Sequence, residues 1–262
     1  MITSAQNSKI KLARALLSSK KERTAINRFV VEGIRLAEEA IHAGLVPEII
    51  LYSSALSDRG KNLVANLDSS NNQIEEVESS LLNRVSNTRT SQGILMILKT
   101  PHLEIPRNPD PVLALDDIRD PGNLGTILRS AWAAGFQATL LTPQCADAFS
   151  PKVVRAGMGA HFNLPIRTME PQEIQIFCKI HRRPPLLILL ADLQNGQPCW
   201  DADLTAPLCL IIGSEAEGAG KSIRKITEKN IFIPMQGDAE SFNAAVAAGI
   251  LMYEITRQRS VI

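Results

Sequence analysis

The residues able to do chemistry gather in three short stretches of the C-terminal half, at 116–125, 213–220 and 235–243. In the first, Pro121–Gly122 makes a turn, Asn123 stands where a helix N-cap belongs, and Arg129 follows on the same helix. Taken alone, a capped helix with a surface arginine accounts for this stretch as well as a site does. The second stretch carries Gly220–Lys221–Ser222 after an apolar run, the ending of a phosphate-binding loop. Such a loop needs a further glycine at position 215, where this chain has Glu215, and a carboxylate there repels phosphate. Its glycines do not form G-x-G-x-x-G either, so a nicotinamide site has no support. The stretch does offer close-packed backbone N–H and C=O groups to a nucleoside-like ligand, with Glu215 as a polar anchor. In the third, Ser241 precedes an alanine-rich segment and reads as its N-cap.

The elements that must position these stretches alternate. Apolar strands are predicted at 111–115, 138–141, 186–190, 208–212 and 231–234. Helices are predicted at 123–135, from Pro151, from Lys221 and after Ser241. Strands apolar on both faces, separated by helices, form a parallel sheet covered on both sides. Ligands of such sheets bind at the carboxyl ends of the strands, where all three stretches lie. The first half is also α/β in character. Ile10, Leu12, Ala13, Leu16 and Leu17 fall near helical spacing, and Phe29–Val30–Val31, 47–51 and 93–98 read as strands. Pro101, Pro106, Pro109 and Pro111 fit neither a helix nor a central strand. The expected division is therefore a domain at 1–99, a linker at 100–110 and a second domain at 111–262.

The chain has 262 residues, 45% of them hydrophobic, enough to build a core and to exclude global disorder. A net charge of +1 leaves the choice of partner to local distribution. Within 1–30, Lys9, Lys11, Arg14, Lys20, Lys21, Arg23 and Arg28 face the single acid Glu22, a stripe suited to phosphate. Lys9, Lys20, Arg23 and Arg28 are the candidate contacts to nucleic-acid phosphate. Aromatic residues make up only 4%, so shape and phosphate contact outweigh base stacking. Cys145, Cys178, Cys199 and Cys209 form no C-x-x-C pair, which argues against a metal site or a disulfide framework and for a reduced compartment. Without an apolar run of membrane-spanning length or a signal-peptide pattern, the expectation is a cytoplasmic protein with no membrane partner.

The three loops, in this order, resemble the SpoU (TrmH) branch of the SPOUT methyltransferases, enzymes that methylate RNA ribose 2′-hydroxyls with S-adenosylmethionine. The matching residues are Asp120–Pro121–Gly122–Asn123–Leu124–Gly125 with Arg129, Gly213–Ser214–Glu215 with Gly218, and Ile233–Pro234–Met235 with Ser241–Phe242–Asn243 and Ala247. The first half is similar to the family's L30e-like RNA-binding module through Ile2–Thr3–Ser4, Asn7, Phe29–Val30–Val31–Glu32–Gly33, Ser86–Asn87–Thr88 and Gln92–Gly93.

The resemblance implies an α/β chain whose C-terminal parallel-sheet domain holds a trefoil knot, a rare exception to unknotted topology. It also implies a homodimer joined through the knot region. By the same resemblance Gly213, Gly218, Ile233, Met235 and Phe242 line the S-adenosylmethionine pocket, and Asn123, Arg129, Glu215, Ser241 and Asn243 are catalytic. The family more often has Leu where this chain has Phe242. Arg129 is the family's candidate base, a role at odds with a guanidinium's persistent charge, so electrostatic stabilisation of the oxyanion is the other reading. An RNA-binding module points to ribosomal RNA ahead of transfer RNA, by analogy. The rival readings are a non-catalytic RNA-binding protein that keeps the fold, and methylation of a base instead of a ribose.

Overall fold

Apolar runs on either side of the proline-rich stretch build separate sheets. The computed structural model describes residues 1–67, 73–86, 91–214, 218–238 and 240–260. Glu215, Asn87 and Thr88, singled out above, lie outside them. The chain divides into two compact units: Met1–His102 with Phe149–Phe162, and Leu103–Ala148 with Asn163–Ile262.

In the first unit, helix α1 (Ser8–Ser18) starts where the Asn7 side chain accepts the Lys9 N–H, and it buries Ile10, Ala13, Leu16 and Leu17. Helix α2 (Lys20–Ile26) ends at Asn27, which takes the left-handed conformation that Asn tolerates. Strand β1 (Arg28–Glu32) follows, then α3 (Ile34–His42), β2 (Ile49–Tyr52), α4 (Asp58–Ala65), β3 (Gln73–Glu76), α5 (Ser79–Val85) and β4 (Ile94–Lys99). The sheet order is β1-β4-β2-β3. Strand β4 runs antiparallel to both neighbours, with Val30 opposite Ile97 on one side and Ile50 opposite Met96 on the other. Strands β2 and β3 are parallel.

Residues 149–162 sit inside the expected second domain in sequence but pack with the first unit. Val154 and Phe162 share a buried cluster with Phe29, and Phe149 meets Phe29 edge to face at 5.3 Å. Arg155 donates to the buried Glu32 at 3.1 Å. Apolar burial and a buried ion pair outweigh proximity along the chain.

The second unit holds β5 (Val112–Leu115), α6 (Pro121–Ala133) and β6 (Ala138–Leu141), while the intervening α7 (Pro151–Gly157) and α8 (Ala160–Asn163) belong wholly or largely to the first. It continues with β7 (Ile166–Thr168), α9 (Pro171–Ile180), β8 (Leu187–Ala191), β9 (Gly196–Pro198), β10 (Leu208–Ile212), α10 (Lys221–Ile226), β11 (Lys229–Phe232) and α11 (Ala244–Arg259). The sheet order is β7-β6-β5-β10-β8-β11-β9, and every pairing is parallel. Val112, Ala114, Cys209 and Ile211 share one buried cluster with Ile174 and Phe177 of α9 and Ile223 of α10. The alternate residues Leu113, Leu115 and Leu210 are buried too, as a sheet covered on both faces requires. Helix α11 packs along α6, and its Thr256 hydroxyl reaches the Ala134 carbonyl at 3.4 Å.

The chain walks outward from β5 through β6 to β7, then returns to place β10 on the other side of β5. That reversal sets the carboxyl ends of β5 and β10 side by side, with the end of β8 next to β10, and ligands of open α/β sheets seat at such ends. Strand β11 begins at Lys229, earlier than expected. The edge strands β3, β7 and β9 are too short and mixed for alternation to mark them. Among the described residues no helix is long and apolar enough to cross a membrane.

Candidate active site

Three chain reversals at strand ends build the site. After β5, Asp117 adopts a left-handed backbone with φ 57° and donates its N–H to the Thr142 hydroxyl at 3.1 Å. Helix α6 is capped by Asp120, whose carboxylate accepts the Asn123 N–H at 2.8 Å, with Pro121 in the first turn. The expected cap at Asn123 is thus displaced. Proline favours the first helical position and holds the residue before it extended, which makes Asp120 the cap and leaves the Asn123 side chain for other work.

After β10, Ser214 and Gly218 exchange N–H···O=C bonds of 3.1 and 3.0 Å, closing the loop on itself. Gly218 has φ +67°, which glycine adopts without strain. Gly213 has no room for a side chain, since a Cβ there would lie 2.5 Å from the Ala219 nitrogen. After β11, Asn243 and not Ser241 caps α11. Its Oδ1 accepts the N–H groups of Ala245 and Val246 at 3.0 and 3.3 Å. Ser241, two residues before that cap, is turned to the cavity described next.

Gly213, Gly218, Ile233, Met235 and Phe242 all line one cavity of about 300 Å³, together with Ser241. Its walls are mostly apolar (Ile212, Ile231, Ile233, Leu251), and Asp192, Gln194 and Ser214 supply polar groups. Beside it, the Asn243 Nδ2 donates to the Asn123 Oδ1 at 3.1 Å, joining the loop after β11 to the start of α6. Arg129 is exposed on α6 and makes no hydrogen bond to Asn123 or Asn243. Beneath the first loop the buried Cys145 thiol donates to the Leu115 carbonyl at 3.3 Å, and burial pushes its pKa up.

Sequence reasoning passed over Asp192, Leu193 and Gln194, which follow β8 and line the same cavity, and Arg224 of α10. Polar residues directly after an apolar strand were the available signal at β8. Nothing local marks Arg224.

The cations proposed for RNA fare differently. Arg23 is buried and donates to the Leu16 carbonyl, so its guanidinium is part of the α1–α2 packing. Lys9 pairs with Glu75 and Arg28 with Glu48, and of the four only Lys20 is fully exposed.

Comparison with known proteins agrees with this layout. Residues 110–253 match the model of the SpoU rRNA methylase family, and residues 7–96 match that of an MRM3-like substrate binding domain. The chain is 34% identical to the Bacillus subtilis 23S rRNA (guanosine(2553)-2′-O)-methyltransferase RlmP, over 97% of this chain and 98% of that protein. The crystal structure of the SpoU methyltransferase AviRb from Streptomyces viridochromogenes, in complex with the cofactor AdoMet, superposes with a TM-score of 0.89 at 28% identity, covering 97% of this chain and 99% of that one. An AdoMet-bound rRNA methyltransferase from Sinorhizobium meliloti superposes with a TM-score of 0.86 at 27% identity, covering 98% and 97%. Agreement along nearly the whole chain, on top of a cavity built from the second and third expected loops and joined to the first through Asn123–Asn243, places the protein in the SpoU rRNA methylase family.

Proposed function

We propose that this protein transfers a methyl group from S-adenosylmethionine to a ribose 2′-hydroxyl of RNA, with ribosomal RNA its substrate ahead of transfer RNA. The observation that carries this reading is the convergence of Gly213, Gly218, Ile233, Met235, Ser241 and Phe242 on one cavity beside the Asn123–Asn243 pair. The cavity suits the cofactor. Apolar walls accept an adenine ring, the absent Cβ at Gly213 lets the backbone come close, and Asp192, Gln194 and Ser214 meet the polar parts.

When bound, S-adenosylmethionine supplies an electrophilic methyl on a sulfonium. The protein's own contribution is positioning, since displacement needs the 2′-oxygen in line with that bond. Asn123 and Asn243 orient the ribose, and Ser241 acts from the cavity wall. Arg129, exposed on α6, holds an RNA phosphate and stabilises the oxyanion as the 2′-proton passes to solvent. Glu215 steadies Arg129 or the target nucleotide. Phe242 in place of the family's more frequent Leu reshapes the pocket edge. The segment after β11 forms the trefoil knot.

Lys20, with Lys9 and Arg28 released from their acidic partners, meets RNA phosphates from a substrate-binding domain at 1–99, joined by 100–110 to the methyltransferase domain at 111–262. Val246, Ile250 and Tyr253 form an exposed apolar stripe at helical spacing on α11 and support a homodimer there, checked by the mass in solution. The four buried free thiols fit the cytoplasm.

The test is transfer of labelled methyl to unmodified ribosomal and transfer RNA, followed by nucleoside analysis, with Arg129→Ala beside the wild type. Label in a 2′-O-methylnucleoside of ribosomal RNA, lost in the variant, is the expected result. Label on a base overturns the ribose chemistry, and no cofactor binding at all favours the RNA-binding rival.

A further inference from the structure

Gly218 lines the cofactor cavity, and the two residues that follow it, Ala219 and Gly220, are tied from two sides. Asp116, buried at the end of β5, accepts the Thr142 hydroxyl at 3.0 Å through Oδ1 and the Gly220 N–H at 2.8 Å through Oδ2. Thr142 is itself held by the Asp117 N–H at 3.1 Å. On the other side Arg224 donates from Nε to the Ala219 carbonyl at 3.1 Å and pairs with Asp192 at the end of β8. The two residues directly behind Gly218 are thus fastened, Ala219 by its C=O and Gly220 by its N–H. The wall has no slack, since a Cβ on Gly213 would meet the Gly218 carbonyl carbon at 2.6 Å. Asp116 does not line the cofactor cavity. It lines a neighbouring hollow with Gly220 and Lys221, so it reaches the cofactor only through the loop.

We infer that Asp116 is a positioning residue that sets the S-adenosylmethionine cavity before the cofactor arrives, with Arg224 holding the loop from the cavity side, an inference that rests on the cofactor binding proposed above. A wall ordered in advance removes that ordering from the cost of binding. Loss of the Asp116 tie therefore raises the Kd and KM for the cofactor and leaves kcat at saturation nearly unchanged. The chemistry of position 116 separates a tie from mere bulk. Asn keeps an oxygen for the Gly220 N–H and an amide for Thr142, whereas Ala leaves both unmet.

The experiment is calorimetric titration of the full chain with S-adenosylmethionine, alongside amide hydrogen exchange of the ligand-free protein, for the wild type, Asp116→Ala, Asp116→Asn and Arg224→Lys. Asp116→Ala is expected to weaken binding by about 10-fold or more and to speed Gly220 exchange by a similar factor. Asp116→Asn recovers most of both. Arg224→Lys keeps a cation for Asp192 but loses the bond to Ala219, and weakens binding by about 3-fold. Wild-type affinity in Asp116→Ala despite fast Gly220 exchange overturns the inference, as does Asn performing no better than Ala. Should the Ala variant fail to fold, unchanged affinity in Arg224→Lys overturns it instead. A wild type that takes up no cofactor while Gly220 stays protected overturns the methyltransferase reading itself, and the clamp's role in binding with it.

Discussion

In the first unit three of the four cations expected to meet RNA serve the fold: Arg23 is buried against the Leu16 carbonyl, and Lys9 and Arg28 pair with Glu75 and Glu48. In the second unit the site is built mainly from neutral polar groups and glycines at strand ends, with the paired Asp192 and Arg224 on the cavity wall and Asp116 one layer back. The difference follows from side-chain length and backbone demand. A long cation on a short helix finds a nearby carbonyl or carboxylate and covers apolar surface with its stem. At the end of a parallel strand the backbone has to turn, so glycine, asparagine and serine are required there whatever the ligand, and their polar groups stay available.

This contrast can be broken most sharply at Gly213. Gly213→Ala puts a Cβ 2.5 Å from the Ala219 nitrogen, a clash with backbone that no rotamer relieves. S-adenosylmethionine affinity is expected to fall by about 100-fold or more, as overpacking of this kind costs several kcal/mol when the neighbour cannot move. Retention of wild-type affinity in a titration would show that the loop yields.

Next in size are Asn123→Ala and Asn243→Ala, each expected to slow methyl transfer by roughly 10- to 100-fold through lost orientation. Asn243→Ala also loses the α11 cap, about 1 kcal/mol in denaturant unfolding. Because the two side chains meet at 3.1 Å, the double variant should fall short of the product of the singles in a mutant cycle. Independent effects would separate them.

Within the first unit, Arg23→Ala should cost about 1–3 kcal/mol of stability, since it leaves a buried carbonyl short of a donor. Lys20→Ala should leave stability within about 0.5 kcal/mol, weaken RNA binding a few-fold and lower the salt slope by about 1. The reverse pattern would restore Arg23 as a phosphate contact.

The smallest effect concerns Glu254, whose carboxyl is held below the usual range by its bonds to Arg257 and then Gln258. A depressed folded-state pKa contributes stability above the ordinary carboxylate value and loses it as pH falls through the lowered one. Glu254→Gln should therefore cost at most about 0.5 kcal/mol at neutral pH and nothing once the carboxyl is protonated, as thermal melts at several pH values can show.

Much of the second unit was legible. The runs at 112–115 and 208–212 are apolar at every position and 138–141 departs only at Thr139, the mark of strands buried on both faces, and polar loops follow the first two. The caps were less so. Asn123 and Asn243 are alike by residue type, yet one lies within the first turn of its helix and the other caps its helix, because Pro121 sets the start of α6. Residues 149–162 could not be assigned from order along the chain, since only the partners of Phe149, Val154 and Phe162 decide where they pack.

By itself the sequence determined the two α/β halves, the stretches that end the strands and the residue types offered to a ligand, because periodicity and turn chemistry are local. The tertiary structure alone decided that Arg23 belongs to the interior, that Asp192 and Arg224 join the cavity, and that Asp116 fastens Gly220, 104 positions away. Those outcomes depend on which strand lies beside which. The insertion of β10 between β5 and β8 brings their ends together, and no local pattern records that neighbourhood.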